Sequence, residues 1–192
     1  MRCVVSLNRP LFLRLSPEPR WSEGRHGAVP ENKTRKTSNN ALDCKESPDQ
    51  PEVARLLCLA DARAAALYPT ENRHGASVAD LISQGVRFFV ARSDAAVIGC
   101  GGYAMQGENA SELKRMFVET AARGGGVGRA LLRTIEEAAR AEGVRVMRLE
   151  TGIQSVEARW LNGSLGYRAR GPFGAYGPDP LSVFMDKDLL AE

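Results

Sequence analysis

Apolar residues recur at helical spacing through the first clearly patterned stretch, at Val53, Leu56, Leu57, Ala60, Ala64 and Leu67. Positions three and four apart share one helix face, so the spacing predicts an amphipathic helix. Asp49 and Glu52 stand at the separation of a capping box, and Pro51 falls in the first turn, where its missing N–H costs little. Tyr68-Pro69 ends the pattern. A shorter helix is predicted over Ser77–Gln84, stopped by Gly85. Two strands, Arg87–Ala91 and Ala96–Met105, read as a hairpin about a polar turn at Ser93-Asp94. Ser111–Val118 is a third strand. The helix from about Gly126 to Glu142 places Leu131, Leu132, Ile135, Ala138 and Ala139 on one face. Glu136 and Arg140 form an outward i,i+4 pair, and Gly143 stops the helix. Val144–Glu150 reads as a strand and Val156–Ser164 as a helix ended by Gly166. A turn rich in glycine and proline, Gly171–Pro180, leads to a last strand, Leu181–Asp186.

This order predicts an α/β domain with a mixed sheet. The hairpin needs antiparallel pairing, and the strand–helix–strand segment needs a right-handed parallel crossover. Helices then cover both faces of a mostly antiparallel central sheet. The domain is expected over residues 48–190. Residues 1–47 hold Pro10, Pro17, Pro19 and Pro30 and a polar run over Glu31–Asn40. That composition buries little apolar surface, so the stretch is read as a disordered or dispensable extension.

Composition narrows the function classes. The 192 residues are 43% apolar, enough for one core of useful size. A net charge of +3 and 6% aromatic residues exclude a dense basic stripe or a base-stacking platform, so no nucleic-acid partner is expected. No apolar run approaches the roughly 20 residues of a membrane helix, and no secretory signal is expected, because no clean apolar stretch follows the charged start. The expected location is cytoplasmic. Cys58 and Cys100 read as buried thiols. With no C-x-x-C pair and only two histidines, no metal site is expected.

The chemistry concentrates at Arg123-Gly124-Gly125-Gly126-Val127-Gly128-Arg129, between a strand and a helix. Glycine permits positive φ and close approach of an anion to backbone N–H groups, and a helix N-terminus adds unpaired donors. A Walker loop fails because Arg129-Ala130 stands where Lys-Ser/Thr is required. A Rossmann turn fails because Arg129 replaces its third glycine. Glu150, about 20 residues on, where a Rossmann fold keeps its ribose-binding acid, is therefore taken as coincidence. The remaining pattern is [QR]-x-x-G-x-[GA], met by Arg123, Gly126 and Gly128.

With Glu112–Val118, Leu149-Glu-Thr-Gly152, Ala158-x-x-Leu161 and Gly166-Tyr167, this turn resembles the GCN5-related N-acetyltransferases, the GNAT superfamily. The resemblance covers about residues 48–190. It implies the acyl-CoA N-acyltransferase fold, in which two parallel strands splay, here Glu112–Val118 and Val144–Glu150. It implies acetyl-CoA as co-substrate, with the pantetheine arm beside Met116, Phe117 and Val118 and the pyrophosphate on the N–H groups from Gly124 to Arg129. Transfer to an amine is then direct. Glu112 corresponds to the base of the histone-acetylating branch, or it pairs with Lys114 or Arg115. Period-two alternation places Glu112, Lys114, Met116 and Val118 on one face and Leu113, Arg115 and Phe117 on the other. Asn162 stands where many relatives carry a tyrosine acid, and an amide cannot supply that proton.

Tyr68 and His74 before the hairpin, and Tyr176 and Asp179 in the last loop, are candidates for the acceptor pocket. The expected acceptor is a small-molecule amine, and relatives make a homodimer a further expectation. Two alternatives stand beside this reading. One is a catalytically weak acyl-CoA-binding protein, motivated by Asn162. The other is a protein or peptide N-acetyltransferase.

Overall fold

The computed structural model describes residues 45–93 and 95–191. The extension expected over residues 1–47 therefore lies almost wholly outside the described residues. Its last residues join the fold: Lys45 bridges Phe89, and the Glu46 N–H donates to the Phe88 carbonyl.

Two helices come first, α1 (Pro51–Leu67) and α2 (Val78–Ser83). The hairpin β1 (Arg87–Ser93) and β2 (Ala96–Met105) follows, then β3 (Ala110–Val118) and α3 (Val127–Ala141). The chain closes with β4 (Val146–Gly152), α4 (Val156–Ser164), β5 (Arg168–Arg170) and β6 (Ser182–Asp188). The strands form one six-stranded sheet in the order β1-β2-β3-β4-β6-β5. Only β3 and β4 pair in parallel. The mixed, mostly antiparallel sheet expected from the element order is the sheet observed.

Two cores cover its faces. On one, Leu131, Leu132 and Ile135 of α3 pack on Phe89, Tyr103, Leu113, Met147 and Leu149. On the other, Val53, Leu56 and Leu57 of α1 and Leu81 of α2 pack on Phe88, Val90, Val97 and Cys100. The apolar stripe of α1 thus divides. Its first half is core, while Ala60, Ala64 and Leu67 line a cleft.

Several local expectations are corrected. Gln50, not Asp49, caps α1, and it does so without a side-chain bond. The capping box sits at α2, where Ser77 and Asp80 exchange bonds. Cys58 is exposed because it falls off the buried stripe, while Cys100 is buried and its thiol is pushed up to about 12 by burial. Glu136 is not outward: it is 2% exposed, bound to Lys187 at 2.7 Å and Arg140 at 3.5 Å. A buried carboxylate needs such partners, and helical spacing alone does not reveal one supplied by β6. β5 is not expected from the sequence, because a three-residue strand leaves little alternation to detect.

Candidate coenzyme and acceptor sites

The parallel ladder of β3 and β4 is short. It runs from Ala110–Val146 to Glu112–Arg148 and stops, although β3 continues to Val118 and β4 to Gly152. Beyond Glu112 the strands part, and a cleft of about 560 Å³ opens between them. Met116, Phe117 and Val118 form one wall and Thr151 the other. Gly124, Gly126, Val127, Gly128 and Arg129 form the end, and Leu161 and Trp160 of α4 the far side.

The wall of β3 carries a β-bulge. Arg115 has φ +52°, and Arg115 and Met116 together oppose Gly101 of β2. An extra residue reverses the side-chain alternation beyond it. Leu113 and Met116 therefore both pack on the α3 side, and Phe117 packs on the α1 side. The uniform alternation expected for this strand is overturned for that reason. Arg115 does not pair with Glu112 either. Its guanidinium reaches Asp61 at 2.6 Å and the Leu57 carbonyl at 3.1 Å, which ties the bulge to α1.

The glycine turn uses its residues for different purposes. Gly124 (φ +79°) and Gly126 (φ +85°) supply left-handed backbone, and a Cβ at either would meet nothing within 4 Å. They face open space, as a cradle for a ligand requires. Gly128 instead lies against Leu161, whose Cδ2 would be 3.2 Å from an added Cβ. Gly126 is the N-cap of α3 and offers no side-chain bond. The N–H groups of Val127, Gly128 and Arg129 thus have no acceptor within the helix. A Cβ at Gly125 would meet only the Ala122 carbonyl, at 3.8 Å. Arg123 folds back: its Nε donates to the Val118 carbonyl at 3.0 Å and its guanidinium lies 5.5 Å over Phe117. Arg129 donates to Ser164 Oγ at 2.8 Å. The fit to a diphosphate ligand thus rests on the open backbone, with both guanidiniums at its edge.

The other side of the splay is built from side chains. Glu112 is 4% exposed. It accepts from the Tyr176 hydroxyl at 2.7 Å and from Gln106 Nε2 at 2.6 Å, and pairs with Lys114 at 2.8 Å. Tyr176 packs against Phe173, Phe184 and His74, with ring centroids 5.2, 5.5 and 5.4 Å away. Burial, and then the bond to Glu112, raise its phenol above the ordinary range. Asn72 donates to Asp179 at 2.7 Å, joining the segment of His74 to the last loop. Tyr68 is set apart from this group. It lines the cleft and crosses to β4 and α4, accepting from the Gln154 N–H at 2.9 Å and lying over Gly152.

Glu150, set aside in the sequence as a coincidence of Rossmann spacing, belongs to this side of the splay. Met147 and Leu149 pack on the α3 side, so Arg148 and Glu150 share the opposite face with Glu112. Glu150 stands two residues beyond the last parallel pair. One of its oxygens accepts from Ser182 Oγ at 2.7 Å. Burial raises its carboxyl above the ordinary range, outweighing the lowering by Ser182 and His74. The alternation Arg148–Leu149–Glu150 was the available signal, once the turn had ceased to be a dinucleotide motif. Asn162 is buried at 5% exposure, and it is not among the residues lining the cleft, unlike Ala158 and Leu161 of the same helix. No cluster of potential metal ligands occurs among the described residues, and none of their helices is long and apolar enough to cross a membrane.

A splayed parallel pair with a helix N-terminus at its end defines the acyl-CoA N-acyltransferase fold. The acetyltransferase (GNAT) family pattern matches residues 55–166. The chain is 44% identical over 151 residues to an IAA acetyltransferase of Azospirillum brasilense, covering 78% of this chain and 99% of the relative. It is 34% identical over 125 residues to the uncharacterized N-acetyltransferase YsnE of Bacillus subtilis, covering 64% and 83%. A Klebsiella pneumoniae structure named for the acyl-CoA N-acyltransferases superposes with TM-score 0.65 at 33% identity, covering 76% of this chain and 94% of that one. A Thermoplasma acidophilum N-acetyltransferase in complex with coenzyme A shares the fold, with TM-score 0.56 at 20% identity over 71% and 89%. The chain belongs to the GNAT acetyltransferase family. It is an N-acetyltransferase with acetyl-CoA as co-substrate.

Proposed function

We propose that this protein moves the acetyl group of acetyl-CoA directly to the amine of a small molecule, with Glu150 as the proton acceptor. The observation that carries this reading is the placement of Glu150: inside the opened strands, on the side-chain face, with only one oxygen engaged by Ser182. A raised carboxyl lies closer to the range of an ammonium than an ordinary one does, which suits proton transfer between them. Glu112, the base suggested by its place in the strand, is held by Tyr176, Gln106 and Lys114. Its role here is to position Tyr176 at the acceptor side. The relative named for its action on IAA is in keeping with a small acceptor.

The coenzyme supplies an acetyl thioester. Backbone groups of Met116, Phe117 and Val118 would lie along its pantetheine, and the N–H groups of Gly124–Arg129 would hold its pyrophosphate. Glu150 takes one proton from the bound ammonium. The freed amine bonds to the acetyl carbon as the carbon–sulfur bond breaks, and the departing sulfur and the second nitrogen proton leave as thiol. Most of the acceleration then comes from positioning. The test is thiol release from acetyl-CoA across a panel of small amines and peptides. Release with small amines above peptides is the expected result. Coenzyme binding without release for any acceptor would sink the reading.

A further inference from the structure

Charge on the acceptor face does not balance locally, and the imbalance has a shape. The rung at the mouth of the splay reads Glu112, Arg148, Asp186 across β3, β4 and β6. Both acids beside Arg148 are paired with other bases. Glu112 is bound by Lys114 at 2.8 Å, and Asp186 by Arg170 at 3.2 Å. The Arg148 side chain has no ion pair or hydrogen bond among the described residues. Its Nε is buried without a partner, and its guanidinium lies 6.0 Å from the Phe173 ring centre. A buried guanidinium nitrogen left unpaired is costly unless a ligand supplies the acceptor.

Glu150 stands two residues further along the same strand and the same face. It too has no ion pair among the described residues, only the neutral Ser182 hydroxyl. A strand rises about 3.3 Å per residue, so these opposite charges are spaced about 6.6 Å apart along β4. The walls around them are Phe173, Tyr176 and Phe184, with Phe173 edge-on to the other two rings and Tyr176 tilted against Phe184.

We infer that the acceptor is an α-amino carboxylate with an apolar or aromatic side chain, its carboxylate held by Arg148 and its ammonium by Glu150. A fork of guanidinium donors matches a carboxylate. The aromatic walls take the side chain. This inference rests on the small-molecule reading above and narrows it to one class.

The experiment uses the full-length protein with acetyl-CoA and a panel of α-amino acids. Each is compared with its methyl ester and its decarboxylated amine. The wild-type protein is expected to favour at least one apolar or aromatic amino acid over both of its counterparts by about 10–100-fold in kcat/KM. Arg148→Met is expected to collapse that ratio, chiefly through KM for the amino acid. A merely structural arginine would lower all three alike and leave the ratio intact. If the esters and amines match or exceed the free acids in wild type, the carboxylate anchor is wrong while N-acetyl transfer stands. If no amine of any kind releases thiol, the underlying reading fails as well. The wild-type comparison decides the case even if Arg148→Met does not fold.

Discussion

The two sides of the splay are made by different means. The proposed coenzyme cleft has its strand wall and its turn in one continuous stretch, Met116 to Arg129, and the polar donors of that turn are peptide N–H groups, while side chains of α1 and α4 close the rest. The proposed acceptor side is built from side chains, and it gathers Asn72 and His74, Glu112, Arg148 and Glu150, and Tyr176 to Ser182 from separate segments. Backbone sites tolerate side-chain drift but not altered φ. Side-chain sites are the reverse: their chemistry can be re-specified one residue at a time. The same difference lets a family keep its coenzyme while changing its acceptor.

Substitutions can separate the two sides. The largest expected effect is Gly126→Glu. It places a carboxylate at the helix N-terminus proposed to hold the pyrophosphate and forces left-handed backbone on a non-glycine residue. Calorimetry should show coenzyme affinity falling at least about 100-fold. Gly126→Ala, strained without charge, serves as the folding control. Retained affinity in Gly126→Glu would move the cradle elsewhere.

Glu150→Gln comes next. It should lower kcat/KM about 10²–10⁴-fold and leave coenzyme affinity intact. It should also raise stability at neutral pH. A carboxyl raised by burial holds its proton more tightly folded than unfolded. Folding is therefore favoured in acid and weakened as pH rises from the ordinary carboxylate range through the raised value. Glutamine removes that cost, and each kcal/mol recovered would appear as about 2–4 °C in Tm. A loss of Tm together with activity would mark Glu150 as structural instead.

Asn162→Tyr tests the helix behind the cleft. Asn162 is buried and away from the cleft lining, so a larger ring should cost about 1–3 kcal/mol by overpacking and bring no gain in turnover. A large gain, measured by thiol release, would instead place the missing acid there. The smallest effect belongs to Ser182→Ala. The Ser182 hydroxyl lowers the Glu150 carboxyl, so its loss raises that group further. The acid limb of the kcat/KM profile should then move to higher pH. A limb that stays in place would separate Ser182 from the titrating group.

The sequence was most legible where structure is local. The α3 stripe, the β2 limits and the glycine turn follow from spacing and backbone freedom within a dozen residues. The acceptor side was less legible because its meaning arises between segments. Glu112 and Glu150 look alike in the sequence. Only Tyr176, Gln106 and Lys114 on one, and a single serine on the other, distinguish them. Glu136 misled for the same reason, since Lys187 lies 51 positions away.

The bulge at Arg115 has a consequence for how this chain can be recombined. β3 is in effect two short strands of opposite parity, joined at one residue with φ +52°. Segments exchanged with relatives on either side of Arg115 keep their sidedness only if the extra residue travels with the junction. Removing one residue there would not shorten the strand harmlessly. It would turn Phe117 out of the α1 core and Met116 out of the α3 core together. The wall of the proposed coenzyme cleft would be rewritten by a change at a residue that does not line it.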